Sequence, residues 1–195
     1  MMSYSNALYL VADWFRQLWA ESLGKKYSLN GKVVNTGQTP VKALGATDQH
    51  SQVQLYNEGP NDKTFTFIRV EKFRKDIKIP AGYSKYEGIS YLSGHKMSEL
   101  INAEEAATEF ALTQSNRPNS TIIVPEINEH TVGQLLYMLE LQTSYAGELY
   151  GINPFDQPGV EAGKLATYAL MGRSGYEKQA QKMRGESEKV ERRRI

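Results

Sequence analysis

The sequence predicts an α/β domain built on a mainly parallel sheet with helices on its faces. Three short runs rich in β-branched and aromatic residues predict strands, and longer segments with helical spacing separate them. Strands that are linked through helices pair in parallel, because each crossover returns the chain to the same edge of the sheet. The chain has 195 residues, of which 40% are hydrophobic and 23% charged, and this suits one globular domain with a substantial core.

The first half of the chain begins with an amphipathic helix and ends with the strongest predicted strand. Apolar residues recur at spacings of three and four over 5–22, and Gly24 is well placed to end that helix. Residues 32–35 predict a short strand, and a second helix is expected over 47–56. The run 64–70 is almost entirely aromatic or β-branched and therefore predicts a strand most clearly.

The second half continues the alternation after a long insertion. Residues 78–96 are rich in Gly, Tyr, Ser and Lys, and we expect them to form a surface excursion within the domain. Apolar spacing then predicts a helix that ends near Asn116, a strand over 121–124 and a helix over 129–150. Three strands make a thin sheet, and the chain enters its first helix almost at once. We therefore expect that the fold has a further element before this helix.

A further helix is predicted to begin after a tight turn. Asp156 or Gln157 can act as its N-cap, and Pro158 suits the first turn because the missing N–H costs nothing there. Lys164 lies on the second turn. An ordinary surface pair with Glu161, three residues earlier, would be enough to explain this lysine.

The end of the first helix carries a candidate general base. Gln17 and Glu21 are four residues apart and therefore lie on one helix face. The negative end of the helix dipole disfavours an ionised carboxylate there, which suits a base that works near neutral pH. The alternative from spacing alone is a solvated glutamate whose charge is offset by Lys25 and Lys26.

The second helix begins near a candidate acid–base histidine. With Thr47 as the cap, His50 falls in the first turn, where the positive end of the dipole favours a neutral imidazole that can exchange a proton with a ligand oxygen. A capping or packing role is the alternative. His95 and His130 have no metal-ligand spacing to each other or to a carboxylate pair, so we interpret both as surface residues.

Three stretches together resemble the glucose-6-phosphate isomerase family. Phe-Asp-Gln and Gly-Val-Glu followed by a lysine stand at 155–164, Gln-x-x-x-Glu-Ser-x-Gly-Lys at 17–25, and Gly-x-x-x-Gln-His at 45–50. Each motif fixes several positions, and the resemblance extends from about Tyr4 to Thr167.

The resemblance implies a fold and a division of the chain. It implies a three-layer sugar-isomerase (SIS) domain over 1–173, followed by a charged helix or tail over 174–195. The first strand of such a domain precedes the helix that begins near Ser5. We therefore expect that strand to be missing, with residues 1–4 supplying at most its end.

The resemblance also implies roles for the candidate residues in the interconversion of glucose 6-phosphate and fructose 6-phosphate through an enediol. Glu21 would shuttle the proton between C1 and C2, His50 and Lys164 would assist ring opening, and Gln17 and Gln157 would line the site. In this family the histidine reaches the active site of the partner subunit, so a homodimer is expected. No metal or cofactor is implied.

The family's N-terminal half holds a phosphate-binding loop and a Gly-Gly-Arg motif, and neither occurs in this sequence. The chain is therefore expected to be inactive or weak without that half. A non-catalytic sugar-phosphate-binding or assembly domain, left by a split or truncated gene, is the alternative.

Composition limits the other function classes. The net charge of +1 implies no general basic surface for nucleic acid, and the absence of cysteine excludes disulfides, thiol catalysis and cysteine-based metal sites. There is no signal-peptide pattern and no apolar run near the ~18 residues of a membrane span. A cytoplasmic location is expected.

Overall fold

The structure is a computed structural model that describes the backbone of residues 1–188 and the side chains of residues 1–185. Its strands are β1 (Met2–Ser3), β2 (Lys25–Tyr27), β3 (Val33–Thr36), β4 (Ala43–Leu44), β5 (Phe65–Lys72) and β6 (Asn119–Glu126). Its helices are α1 (Tyr9–Leu23), α2 (Gln49–Glu58), α3 (Glu87–Ser90), α4 (Met97–Gln114), α5 (Glu129–Leu149), α6 (Pro158–Leu170) and α7 (Glu177–Glu188). Four strands form one sheet in the order β4–β1–β5–β6, and all their pairings are parallel.

The sheet contains two short strands that the sequence did not predict. β1 lies at its centre, where Met2 pairs with Ala43 on one side and with Phe67 on the other. Strands of two residues are too short to show an alternating pattern, which explains why both β1 and β4 escaped prediction. The first strand, which we expected to be missing apart from an end within residues 1–4, is thus present as the two residues Met2 and Ser3.

The predicted strand at 32–35 exists but lies outside the main sheet, which corrects its expected place there. Val33–Thr36 pairs antiparallel with β2 in a separate two-stranded hairpin. This hairpin follows directly after α1 and interrupts the connection to β4. A short strand signal does not identify the neighbour with which it pairs, and here the neighbour is the segment just before it.

Helices cover both faces of the sheet, which confirms the predicted three layers. Alternate residues of β5 point to opposite faces, so Phe67 enters one core and Ile68 the other. The core beneath α1 and α5 consists of Leu8, Ile68, Val70, Val124, Leu135 and Leu139. The core beneath α2 and α4 consists of Met2, Tyr4, Ala43, Tyr56, Phe67 and Leu112.

The insertion at 78–96 is a surface excursion as expected, and the described part of the predicted tail, 174–188, contains the expected helix. The segment 78–96 is mostly exposed and contains only the single-turn helix α3. At the C-terminal side, the Arg173 guanidinium lies 4.4 Å from the centre of the Tyr168 ring, just before α7. The boundary after residue 173 stays a prediction, and residues 189–195 of the predicted tail lie outside the described residues.

The parallel connections determine which parts of the chain meet at each edge of the sheet. α1 and α5 start after β1 and β6, at the carboxyl edge, and α1 must run back to the amino edge before the chain can enter β4 in parallel. The end of α1, the hairpin and the start of α6 therefore gather at the amino edge. The Leu29 N–H donates to the Gly151 carbonyl at 2.7 Å and ties the hairpin to the turn after α5. The start of α2 lies at the opposite, carboxyl edge.

Candidate functional site

Gln17 and Glu21 lie together on an exposed face at the end of α1. The Gln17 Nε2 donates a hydrogen bond to the Glu21 Oε1 at 3.3 Å, as the four-residue spacing predicts. Both side chains are exposed, so a ligand can reach the carboxylate. The amide orients one oxygen and leaves the other accessible.

The Lys25 ammonium binds the backbone near Glu21 and not the Glu21 carboxylate. The ammonium turns back on α1 and donates to the carbonyl oxygens of Glu21 and Ser22, each at 2.7 Å. Within the described side chains, Glu21 forms no ion pair with Lys25 or Lys26. The carboxylate is thus left with Gln17 as its hydrogen-bond partner.

The turn between α5 and α6 is fixed against α5 and places the start of α6. A side chain at Gly147 would lie 2.6 Å from the Pro154 ring, so the close contact requires glycine there. Gly151 has a φ of 64°, and the Ile152 N–H donates to the Gly147 carbonyl at 3.0 Å. Asn153 then closes the turn, because its Oδ1 accepts from the Phe155 N–H at 3.1 Å.

α6 begins as predicted, with Gln157 at the N-cap position and Pro158 at the first helical position. The Gln157 side chain makes no capping hydrogen bond and is exposed. Two turns later the Lys164 ammonium donates to the Glu161 Oε1 at 2.7 Å, which confirms the predicted pair. Gln157 thus lies just before the first turn of α6 and Lys164 on its second turn.

Lys164 and Glu21 lie within electrostatic reach of each other. The hydrogen bond to Glu161 raises the pKa of Lys164, and the more distant Glu21 carboxylate adds to the same direction. Both groups are solvent-accessible, so the attraction is screened and contributes little to stability. The end of α1 and the first half of α6 therefore bring these two candidate groups near each other at the amino edge.

His50 lies elsewhere. It is the second residue of α2, exposed at the carboxyl edge of the sheet. The predicted cap Thr47 is wrong, because the helix starts two residues later and Asp48 holds the N-cap position. The Asp48 carboxylate closes the preceding turn by accepting from the Leu44 N–H at 2.7 Å, and this hydrogen bond is the main reason that its pKa is lowered.

The structure therefore brings Gln17, Glu21 and Lys164 to one edge and His50 to the other. α1 connects the two edges with fifteen residues, or roughly 22 Å at 1.5 Å per residue. Within one chain, His50 cannot join the other candidates.

A cleft of about 750 Å³ opens beside these groups, between the hairpin and the turn before α6. The polar residues that line it include Lys25, Asn35, Thr36, Asn153 and Asp156. None of the five predicted site residues lines it. The candidate groups stand on the open surface next to this cleft.

The family model for phosphoglucose isomerase matches residues 1–185. The chain belongs to this family. A glucose-6-phosphate isomerase of Carboxydothermus hydrogenoformans is 54% identical over 94% of the chain, and one of Rubrobacter xylanophilus is 53% identical over 90%. In both cases the chain covers 39% of the relative's own length.

Solved structures support the fold of this phosphoglucose isomerase family member. A hypothetical protein of Thermus thermophilus superimposes with a TM-score of 0.81 at 41% identity, over 88% of this chain and 40% of the other. A glucose-6-phosphate isomerase from Chlamydia trachomatis superimposes with a TM-score of 0.74 at 23% identity, over 94% of this chain and 37% of the other. The second similarity concerns the fold alone.

The remaining sequence predictions concern metals and membranes. His95 pairs with Glu99 at 2.8 Å and His130 is exposed, so both are surface residues as predicted. In the described part of the chain, no group of histidines and carboxylates is arranged to hold a metal ion. Over the same residues, no helix combines the length and apolarity that a membrane span requires.

Sequence reasoning missed the buried position of Lys25 in this family member. Only 6% of the residue is exposed, which is rare for lysine. A signal was available, because a cation directly after a helix-ending glycine is well placed to bind the last carbonyls of that helix. The roles of Gln17, Glu21, His50, Gln157 and Lys164 remain predictions.

Proposed function

We propose that this chain is the C-terminal sugar-isomerase domain of a glucose-6-phosphate isomerase. In the proposed reaction, glucose 6-phosphate and fructose 6-phosphate interconvert through an enediol, as a step of glycolysis and gluconeogenesis. The observation that carries the proposal is the exposed Glu21 carboxylate, which accepts from Gln17 and lies within electrostatic reach of Lys164. A carboxylate on an accessible face can take and return a proton on a sugar.

Glu21 is the general base of the proposed reaction. It removes the proton from C2 of the open-chain aldose, the C–H electrons form the C1–C2 double bond, and the carbonyl π electrons move to O1, which takes up a proton from water to give the enediol. Glu21 then returns its proton to C1, and O2 releases its proton to water as the C2 carbonyl forms, which gives the ketose. No metal or cofactor is needed, because the substrate carbonyl already acidifies the adjacent C–H.

Lys164 and His50 assist ring opening before the enediol step, while Gln17 and Gln157 contact the substrate. Since His50 lies at the opposite edge from Glu21, it serves the site of a second subunit. The proposal therefore includes a homodimer in which each site takes residues from both chains.

The remaining part of the enzyme supplies groups that this chain lacks. In the proposal, the phosphate-binding loop and an arginine that stabilises the enediolate come from an N-terminal half. Loss of a single donor to a developing oxyanion typically costs about 10²–10³ in rate. The chain by itself is therefore weak or inactive, and the complete enzyme is a cytoplasmic protein.

A coupled assay that follows glucose 6-phosphate formation from fructose 6-phosphate tests this function. We expect little turnover from the chain alone, and turnover of roughly 1–10³ s⁻¹ once it is combined with the part of the Carboxydothermus relative that it does not cover. Full turnover by the chain alone would contradict the dependence on an N-terminal half. Sugar-phosphate binding without turnover in every combination would favour the non-catalytic alternative.

A further inference from the structure

Lys25 occupies a position that an ordinary surface lysine does not take. It is the first residue of the hairpin and pairs with Thr36 across β2 and β3, yet its side chain folds back onto the end of α1. Only 6% of it is exposed. Burial lowers its pKa, and the nearby Asp156 carboxylate opposes that change.

The ammonium satisfies carbonyls that the helix itself cannot satisfy. The last four carbonyl oxygens of a helix have no partner within it, and a cation there also interacts favourably with the helix dipole. Two of the carbonyls at the end of α1 belong to Glu21 and Ser22, and Lys25 bonds to both at 2.7 Å. Hydrogen bonds from a charged donor are roughly twice as strong as neutral ones.

The same lysine connects α1 to the segment that leads into α6. Asp156 lies close enough to act on its charge, and Asp156 directly precedes Gln157, the residue that starts α6. Lys25 thus binds the end of the helix that carries Glu21 and shares a cleft with the residue that precedes the N-cap of the helix that carries Lys164. The exposed Glu21 side chain has no such support of its own, because Gln17 is its only described hydrogen-bond partner.

We propose that Lys25 is a positioning residue, which fixes the backbone of Glu21 and thereby sets the base relative to Gln157 and Lys164. This inference rests on the proposed function, since it assigns Lys25 to the isomerase reaction through Glu21. Misplacement of a catalytic group by about 1 Å can cost on the order of 10²-fold in rate. The effect appears in kcat, because a displaced base acts on the chemical step.

Two methionine variants test the role, in the chain combined with the uncovered part of the Carboxydothermus relative. Lys25→Met keeps most of the length of the side chain and removes the charge, and we expect it to lower kcat by roughly 10- to 100-fold with KM nearly unchanged. Lys26→Met is the matched control, because Lys26 is exposed and its ammonium lies over the Tyr27 ring instead of α1. If Lys25→Met folds poorly, Lys25→Gln, which keeps one donor, is expected to show a smaller loss in the same direction.

A double-mutant cycle separates positioning from general destabilisation. Since Lys25 acts through Glu21, Lys25→Met should change the residual kcat of Glu21→Gln by less than about twofold. An equal loss in both backgrounds would overturn the proposal, as would an unchanged kcat in Lys25→Met alone.

Amide hydrogen exchange on the isolated chain tests whether Lys25 fixes the end of α1, and this measurement needs no enzymatic turnover. Exchange at the Gly24 amide, which donates to the Ala20 carbonyl at 3.0 Å, should be at least about tenfold faster in Lys25→Met and unchanged in Lys26→Met. Equal exchange in all three proteins would overturn the proposal. If the wild-type combination shows no turnover, the proposed function fails, whereas turnover that Lys25→Met leaves intact refutes only the role of Lys25.

Discussion

The two edges of the parallel sheet hold their candidate groups in different ways. At the amino edge, Gln17, Glu21 and Lys164 are exposed, and their described hydrogen bonds join side chains of the same helix. At the carboxyl edge, His50 directly follows Gln49, whose side chain is anchored in a polar network beneath the helix. Its amide donates to the Tyr4 hydroxyl at 2.7 Å, to the Thr108 hydroxyl at 2.8 Å and to the Glu104 carbonyl at 3.2 Å.

This difference indicates what each edge contributes. The anchored edge presents one histidine at a fixed place on the rigid frame of α2, α4 and the sheet. The exposed edge offers a carboxylate and an ammonium on an open surface. α1 separates the edges by roughly 22 Å, and this separation is why the proposed function draws His50 from a second copy of the chain.

The largest expected effect is that of the base at the amino edge. In the combined enzyme, Glu21→Gln keeps the size and the hydrogen bonding of the side chain but removes the base. We expect kcat to fall by about 10²–10⁴ with substrate affinity largely kept, together with solvent exchange of the C2 proton. The control is Glu129→Gln, on an exposed glutamate at the start of α5. Near-normal turnover in Glu21→Gln would mean that the base lies elsewhere.

A smaller effect is expected from the histidine at the carboxyl edge. His50→Ala should slow turnover of the cyclic sugar by about 10–10², and slow that of the open-chain form less, because its proposed role precedes the enediol step. Stopped-flow comparison of the two substrate forms measures the difference. His130→Ala, another exposed histidine, should have no effect. An equal loss on both forms would remove His50 from ring opening.

Stability should distinguish the two edges as well. Gln49→Ala leaves the buried Tyr4 and Thr108 hydroxyls without their shared donor, and we expect a loss of about 1–3 kcal/mol in the free energy of unfolding. Gln17→Ala removes an exposed amide and should change it by less than about 0.5 kcal/mol. Urea unfolding of the two variants measures both values. Similar losses would contradict the contrast between an anchored edge and an open one.

The smallest effect concerns a buried carboxylate in the layer that anchors His50. Glu105 is fully buried, and burial raises its pKa although the Arg69 guanidinium, 3.3 Å away, opposes the change. The folded state therefore keeps this proton to a higher pH than the unfolded state, and the contribution of Glu105 to stability falls as the pH rises above about 4.5. The wild type should lose stability relative to Glu105→Gln between pH 5 and 7.5. Urea unfolding at both values checks the sign, and the reverse trend would contradict it.

Much of the fold followed from periodicity, and the rest depended on contacts that no local pattern contains. The long helices α1, α4 and α5 and the strands β5 and β6 were predictable because each repeats its pattern over many residues. β1 and β4 have two residues each, and β3 pairs with the hairpin instead of the sheet, so their places depend on tertiary structure.

In the candidate site, too, features set within a single helix were predictable and features that need tertiary contacts were not. The i,i+4 pair of Gln17 and Glu21 and the i,i+3 pair of Glu161 and Lys164 are properties of a single helix, and both predictions were confirmed. The position of Lys25 directly after Gly24 signalled its bond to the end of α1, but its burial also requires the hairpin to fold back against α1. The Thr47 cap failed for a similar reason, since Asp48 closes a turn with Leu44 that depends on β4.

The central claim, that each site combines Glu21 of one subunit with His50 of another, has a direct test. Glu21→Gln and His50→Ala chains, each combined with the uncovered part of the Carboxydothermus relative, are assayed separately and after they have been refolded together. If the site is shared, each mixed dimer contains one site with both residues intact, and the mixture should recover about a quarter of wild-type turnover. A mixture no more active than the sum of its two inactive components would contradict the account.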